Sequence, residues 1–139
     1  MIVALLRIPY QAALTHLHTR LRTEFRDLQP AHLIVFQLIA HPPAGSRLTE
    51  LAEGAQMTKQ GMGQLIDALE RGGYVERTAD PVDRRAKPIS LTSRGWAVHE
   101  RSGALVAELQ AVWAHRLGEA KVNHLLSLLR ELGEPLDSA

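Results

Sequence analysis

Tyr74-Val75-Glu76-Arg77-Thr78 and Lys87-Pro88-Ile89-Ser90-Leu91-Thr92 decide the fold. Each alternates apolar and polar residues, the period of a half-buried strand. Between them runs Ala79-Asp80-Pro81-Val82-Asp83-Arg84-Arg85-Ala86, polar and rich in turn residues. Together the three pieces predict a two-stranded hairpin with a basic tip. Pro88 cannot donate to a ladder on both sides, so its strand is expected at an edge.

On both sides of the hairpin the apolar period becomes helical. Upstream, Tyr10, Leu14, Leu17, Leu21, Phe25 and Leu28 recur every three or four residues, which predicts a helix from Pro9 to Leu28. Pro9 suits its first turn, where a missing N–H costs nothing. A second helix is expected from Pro30 to His41, with Leu33, Phe36, Leu38 and Ile39 facing the core, before the breaker cluster His41-Pro42-Pro43-Ala44-Gly45-Ser46. Thr49 to Ala55 reads as a short helix capped by Thr49, and Gly54 with Gln56-Met57 as a tight turn. Thr58 caps the next helix, which turns Leu65, Ile66 and Leu69 inward and stops at Gly72-Gly73.

Downstream, a long helix is expected from Ser93 to Leu117, with Leu105, Leu109, Val112 and Trp113 on one face. Gly118 breaks it. A last helix from Glu119 to Leu132 carries Val122, Leu125, Leu126, Leu129 and Leu132. The fold class is mainly α with a small β-hairpin wing. The order helix, helix, short helix, turn, helix, hairpin places a wing directly after a helix-turn-helix pair.

Bulk properties suit one soluble domain. The chain has 139 residues, 45% hydrophobic and 22% charged, with a formal net charge of +1. A near-neutral chain lacks a general basic coat but has room for a local basic patch. The absence of cysteine excludes disulfides, thiolate zinc sites and thiol redox switches. No apolar run is long enough for a membrane span. Met1 to Leu6 is apolar but has neither a basic leader nor a small-residue cleavage site. A cytoplasmic location is expected.

The quoted hairpin belongs to a longer series of motifs. They are Leu48-Thr49-Glu50-Leu51-Ala52, Met57-Thr58-Lys59-Gln60, Leu69-Glu70-Arg71-Gly72-Gly73-Tyr74-Val75-Glu76-Arg77, Asp80-Pro81-Val82-Asp83-Arg84-Arg85-Ala86 and Leu91-Thr92-Ser93-Arg94-Gly95. In order and spacing the series resembles the MarR family of winged helix-turn-helix transcription regulators. The resemblance covers Leu48 to Gly95; the flanking helices agree in length and placement. It implies a single domain over residues 1–139. Residues 30–95 would form the DNA-binding lobe, and residues 1–29 and 96–139 the helices of a homodimer. It also implies a palindromic double-stranded DNA operator, repression, and an aromatic or phenolic small-molecule effector. Arg85 would read the minor groove, Asp83 would orient it, and Arg84 would contact phosphate. The effector pocket would lie near Leu17, Arg20, Leu21, Phe36 and Trp96.

The residues support DNA contact on their own terms. A helix fits the major groove and carries polar side chains to base edges. Thr58, Lys59, Gln60 and Gln64 lie away from the apolar side of their helix, and its N-terminal N–H groups suit phosphate. A wing arginine suits the enhanced negative potential of a narrow minor groove. Gly61 and Gly63 depart from the family pattern, which often has side chains that contact DNA at those positions. They read either as tolerated drift or as positions where the helix backbone comes close to DNA.

Other chemistries find less support. There is no phosphate loop, Gly-x-Ser-x-Gly, His-Glu-x-x-His or nucleophile paired with a base, so no catalytic residues are assigned and no enzyme is expected. Seven histidines raise the possibility of metal, but His16 and His18 point apart on a helix, and His99 and His115 are about 24 Å apart by helical rise. No metal and no cofactor are assigned. A zinc-responsive regulator of this type, or a winged-helix module used only for protein contact, are the alternatives. Trp96 and Trp113 are expected in core or dimer packing.

Overall fold

The computed structural model describes residues 1–39, 45–79 and 87–134. Among the described residues six α-helices and one hairpin follow in order: α1 (Ile2–Leu21), a 3₁₀ turn (Pro30–His32), α2 (Leu33–Leu38), α3 (Leu48–Gly54), α4 (Lys59–Arg71), β1 (Val75–Arg77), β2 (Ile89–Leu91), α5 (Ser93–Leu117) and α6 (Glu119–Leu132). The mainly helical class with a hairpin wing is what the sequence pattern led us to expect. The chain divides into two compact units, Met1–Gly103 and Ala104–Ala139, with α5 beginning in the first and ending in the second.

The first helix departs most from expectation. It starts at Ile2 rather than Pro9 and ends at Leu21 rather than Leu28, so Pro9 is interior. An interior proline forfeits one hydrogen bond and tends to kink a helix, yet α1 continues through it. At the other end the Thr23 hydroxyl donates to the Arg20 carbonyl at 2.8 Å, occupying a terminal acceptor of the helix. Successive turns follow, held by the Phe25 N–H to Leu21 carbonyl and Leu28 N–H to Phe25 carbonyl bonds. Those turns return Phe25 and Leu28 to the core, so the apolar spacing persists after the helix has ended. Tyr10, expected on the buried stripe, is exposed.

The second helix is also shorter than expected, closing at Leu38, after which Ile39 is extended. Leu33, Phe36 and Ile39 are buried as expected; Val35 joins them and Leu38 is only half-buried. α3 starts one residue early, so Thr49 lies within it and Arg47 is the cap. The Arg47 N–H reaches the Glu50 carboxylate at 3.5 Å.

β1 and β2 pair antiparallel in the register Val75–Leu91, Glu76–Ser90 and Arg77–Ile89. Ile89 also exchanges both backbone hydrogen bonds with Ser46, at 2.9 and 2.7 Å. β2 therefore has neighbours on both sides, against the edge position expected from Pro88. Proline is tolerated because it precedes the strand and contributes only its carbonyl, which accepts from the Thr78 N–H at 3.1 Å.

The core of the first unit gathers around Tyr74. Phe25 and Phe36 meet its ring edge-on at 6.1 and 6.2 Å between centroids. Leu21, Leu51, Met62, Ile66, Leu69 and Val98 are fully buried. His32 is buried with its Nδ1 accepting from the Gln29 N–H at 3.0 Å, and His18 Nε2 donates to the Leu28 carbonyl at 2.9 Å. Burial holds the His32 imidazole below its ordinary pKa, which nearby Asp27 partly opposes. In the second unit Leu105 and Val122 are buried. Gly118, at φ +90, supplies the left-handed turn between α5 and α6.

Candidate nucleic-acid interface

The helix-turn-helix is built by local chemistry. α3 packs on α4, and the turn between them is closed by the Met57 N–H donating to the Ala52 carbonyl at 2.9 Å. Gln56 takes a left-handed conformation at φ 54 to make this possible. The Thr58 hydroxyl then accepts from the Gly61 N–H at 3.0 Å, the expected cap. The other N–H groups of the first turn have no partner within the helix and are available to an anion.

α4 is strongly two-faced. Met62, Ile66 and Leu69 are fully buried, while Thr58, Lys59, Gln60 and Gln64 are exposed. Met62 was missed by the sequence reading and carries the weight given there to Leu65, which is only half-buried. The four residues expected to touch DNA are thus brought together at the start and outer face of one helix. Asp83, Arg84 and Arg85 lie outside the described residues. What the structure describes is the base of their hairpin, which continues from Arg77 through the Thr78 to Pro88 bond.

A Cβ built on Gly63 would meet only Leu48 of α3, at 3.8 Å. One on Gly61 would approach the Thr58 hydroxyl at 3.1 Å. Both glycines therefore look toward the rest of the helix-turn-helix.

The far end of α4 is clamped. Tyr74 donates its hydroxyl to Asp27, Arg94 donates to the Gly72 carbonyl, and Arg94 lies 3.4 Å from the Asp27 carboxylate. The Arg94 guanidinium also sits over the Tyr74 ring, 4.3 Å from its centroid. Thr92 donates its hydroxyl to the Gly73 carbonyl at 2.5 Å and accepts from the Gly95 N–H at 3.2 Å. Gly73 takes φ +78 as α4 gives way to β1. A Cβ on Gly95 would fall 2.1 Å from the Tyr74 carbonyl oxygen, so only glycine fits. The Leu91-Thr92-Ser93-Arg94-Gly95 motif thus acts as a buckle for the end of α4. The Tyr74 hydrogen bond, reinforced by Arg94, holds the Asp27 carboxyl below its usual range. Burial, together with Asp27, pushes the Tyr74 phenol well above its usual range. Sequence reasoning quoted Tyr74 and Arg94 but missed Asp27.

A second tie joins α4 to the hairpin. Arg77 at the end of β1 bonds Asp67 and Glu70 of α4, each at 2.9 Å.

Of the residues expected to line an effector pocket, Leu17, Leu21 and Phe36 are buried, Trp96 is half-buried and Arg20 is exposed. The Trp96 ring meets His99 edge-on at 5.3 Å. A separate groove of about 480 Å³ is lined by Tyr10, Leu14, Ile34, Met57, Gln64 and Leu65, among others. It is mainly apolar and reaches the outer face of α4. No helix among the described residues is long and apolar enough to cross a membrane.

A helix-turn-helix followed by a hairpin, with its second helix presenting a polar face, defines a winged helix-turn-helix protein. The MarR family model matches residues 27–86. The chain is 32% identical over 100 residues to the HTH-type transcriptional repressor Rv2887 of Mycobacterium tuberculosis, covering 72% of this chain and 71% of Rv2887. It is 38% identical over 68 residues to the HTH-type transcriptional regulator PrsX of Escherichia coli, covering 48% of this chain and 41% of PrsX. The match therefore spans less than half the length of PrsX. Among solved structures, the transcriptional repressor CouR bound to a 23-mer DNA duplex superposes with a TM-score of 0.74 at 25% identity, covering 95% and 92% of the two chains. The Rv2887 complex with p-aminosalicylic acid superposes with a TM-score of 0.70 at 25% identity, covering 96% and 98%. The chain belongs to the MarR family.

Proposed function

We propose that this protein is a homodimeric, sequence-specific transcription regulator that binds a palindromic double-stranded DNA operator as a repressor and responds to a small molecule. The observation that carries this reading is the exposed cluster Thr58, Lys59, Gln60 and Gln64 on the helix that opens into the wing. Lys59 and the helix N-terminus take phosphate; Gln60 and Gln64 read base edges. In the wing, Arg84 contacts phosphate, Arg85 enters the minor groove and Asp83 orients it, as in the family resemblance. CouR, captured on a DNA duplex, supports the DNA assignment. Such a regulator works in the cytoplasm beside the chromosome.

Dimerisation answers the exposed apolar surface. Ile2, Val3, Leu5 and Ile8 of α1, and Leu125 and Leu129 of α6, are each at least 40% exposed in the single chain. A second copy related by a two-fold axis is the commonest way to cover such faces. The effector is an aromatic or phenolic molecule, a reading supported by the p-aminosalicylic acid complex of Rv2887. Its pocket is assigned to the neighbourhood of Leu17, Arg20, Leu21, Phe36 and Trp96, and the apolar groove beside Gln64 offers a second place for it.

Duplex titrations across salt concentration test the DNA reading. Affinity is expected to fall linearly on a log–log plot as phosphate contacts release counterions. Arg84→Ala should reduce the slope by about one without changing sequence preference. A parent protein that binds no duplex at low salt overturns the reading.

A further inference from the structure

We infer that Arg77 is a charge shield for the DNA-facing side of the recognition helix, acting through Asp67 and Glu70 rather than by touching DNA. The inference rests on the DNA-binding reading above.

Asp67 follows Gln64 by three residues and Gln60 by seven, so all three share one face of α4. That face meets phosphates if Gln60 and Gln64 meet bases. Asp67 and Glu70 are exposed there, with side chains 53% and 41% accessible. Two bare carboxylates on such a face repel a polyanion. Arg77 answers both with one guanidinium, Nη2 on Asp67 and Nη1 on Glu70, each at 2.9 Å. Its own side chain is 26% accessible, the least of the three. β1 holds it there: Arg77 is the last strand residue and pairs with Ile89, which Ser46 also bonds. The planar fork suits two separate carboxylates, a geometry lysine cannot reproduce. Surface ion pairs contribute little to stability. Removing one of two negative charges where phosphates approach has a larger effect on binding, most of all at low salt.

The shield makes a prediction of unusual sign. Losing Arg77 should weaken binding, and losing its partners as well should restore it. A structural tie, once lost, is not rebuilt by deleting its other end. A direct phosphate contact by Arg77 is not restored that way either.

The test uses the full-length chain and a mixed-sequence duplex of about 30 base pairs, since the repulsion does not depend on sequence. At about 50 mM salt Arg77→Met should raise Kd roughly tenfold, and the gap should narrow by about 200 mM. The triple variant Asp67→Asn/Glu70→Gln/Arg77→Met, whose net charge on this face is one unit more positive than the parent's, should bind at least as tightly as the parent. Asp67→Asn alone, which keeps Arg77 on Glu70, should bind as tightly as the parent or more tightly, and this measurement stands even if Arg77→Met unfolds. Thermal midpoints are measured in parallel so that only folded variants are compared. Parent-like affinity of Arg77→Met overturns the shield, as does a triple variant that stays weak or an Asp67→Asn that binds less well. A parent that binds no duplex instead overturns the DNA-binding reading itself.

Discussion

Replacing Gly63 with alanine should stabilise the protein without changing its affinity for DNA. A glycine inside a helix costs about 0.5–1 kcal/mol relative to alanine, because its backbone loses more freedom on folding. Gly63 has helical geometry within Lys59–Arg71, and a new methyl group would meet only Leu48 Cδ2 at 3.8 Å, an ordinary contact. The full propensity gain is therefore available, and for a chain of this size it corresponds to a rise of roughly 2–4 °C in the thermal midpoint. Gly61 is the internal control. Its Cβ would press on the Thr58 hydroxyl at 3.1 Å, the group that accepts the N–H of Gly61 itself. That cap contributes about 1 kcal/mol, so displacing it cancels the gain and Gly61→Ala should be neutral or destabilising. Calorimetry ranks the stabilities, and anisotropy titration on one duplex compares the affinities. Because the Gly63 methyl group would face α3, Kd should stay within about twofold of the parent. If Gly63→Ala binds DNA tenfold less well while remaining folded, the helix backbone does approach DNA there and the reasoning fails. Equal stabilisation by both substitutions would refute the account of the cap.

Two further outcomes follow from the core of the first unit. Gly95→Ala should destabilise by about 3 kcal/mol or more, since its methyl would collide with the Tyr74 backbone carbonyl, which cannot move without opening the buckle; a denaturant midpoint like the parent's would refute the close approach. Stability should fall as pH drops below 6.5, because burial depresses the pKa of His32 in the folded chain and the unfolded chain takes up the proton first. Asp27, also depressed, adds a second loss below about 3.8, where the unfolded carboxyl protonates before the folded one. His32→Asn should remove the first step from a series of thermal melts and leave the second.

What could be read from the sequence was whatever is local. The Thr58 cap, the two-faced α4, the alternation within each hairpin strand and the Gly118 break each depend on residues within a few positions of one another. The first helix was misplaced because its apolar spacing continues through turns that keep Phe25 and Leu28 buried, and because an interior Pro9 looks like a boundary. The buckle was not legible because Asp27 meets Tyr74 and Arg94 across 47 and 67 residues. Nothing beside Asp27 in the chain marks it out from any other surface aspartate. Arg77 lay within a quoted motif, but its role depends on a strand and a helix being adjacent. The wing-tip expectations for Asp83, Arg84 and Arg85 rest on the resemblance and on the fit of an arginine to a narrow minor groove.

Selection from a random pool of duplexes tests most directly whether this chain recognises a DNA sequence as a symmetric pair. The expected product is an enriched, A·T-rich palindrome whose half-sites lie about one helical turn apart, bound by two chains per duplex. Loss of enrichment in the Gln60→Ala/Gln64→Ala variant should accompany it. Bound duplexes with no shared sequence, or a single unpaired half-site held by one chain, would contradict it.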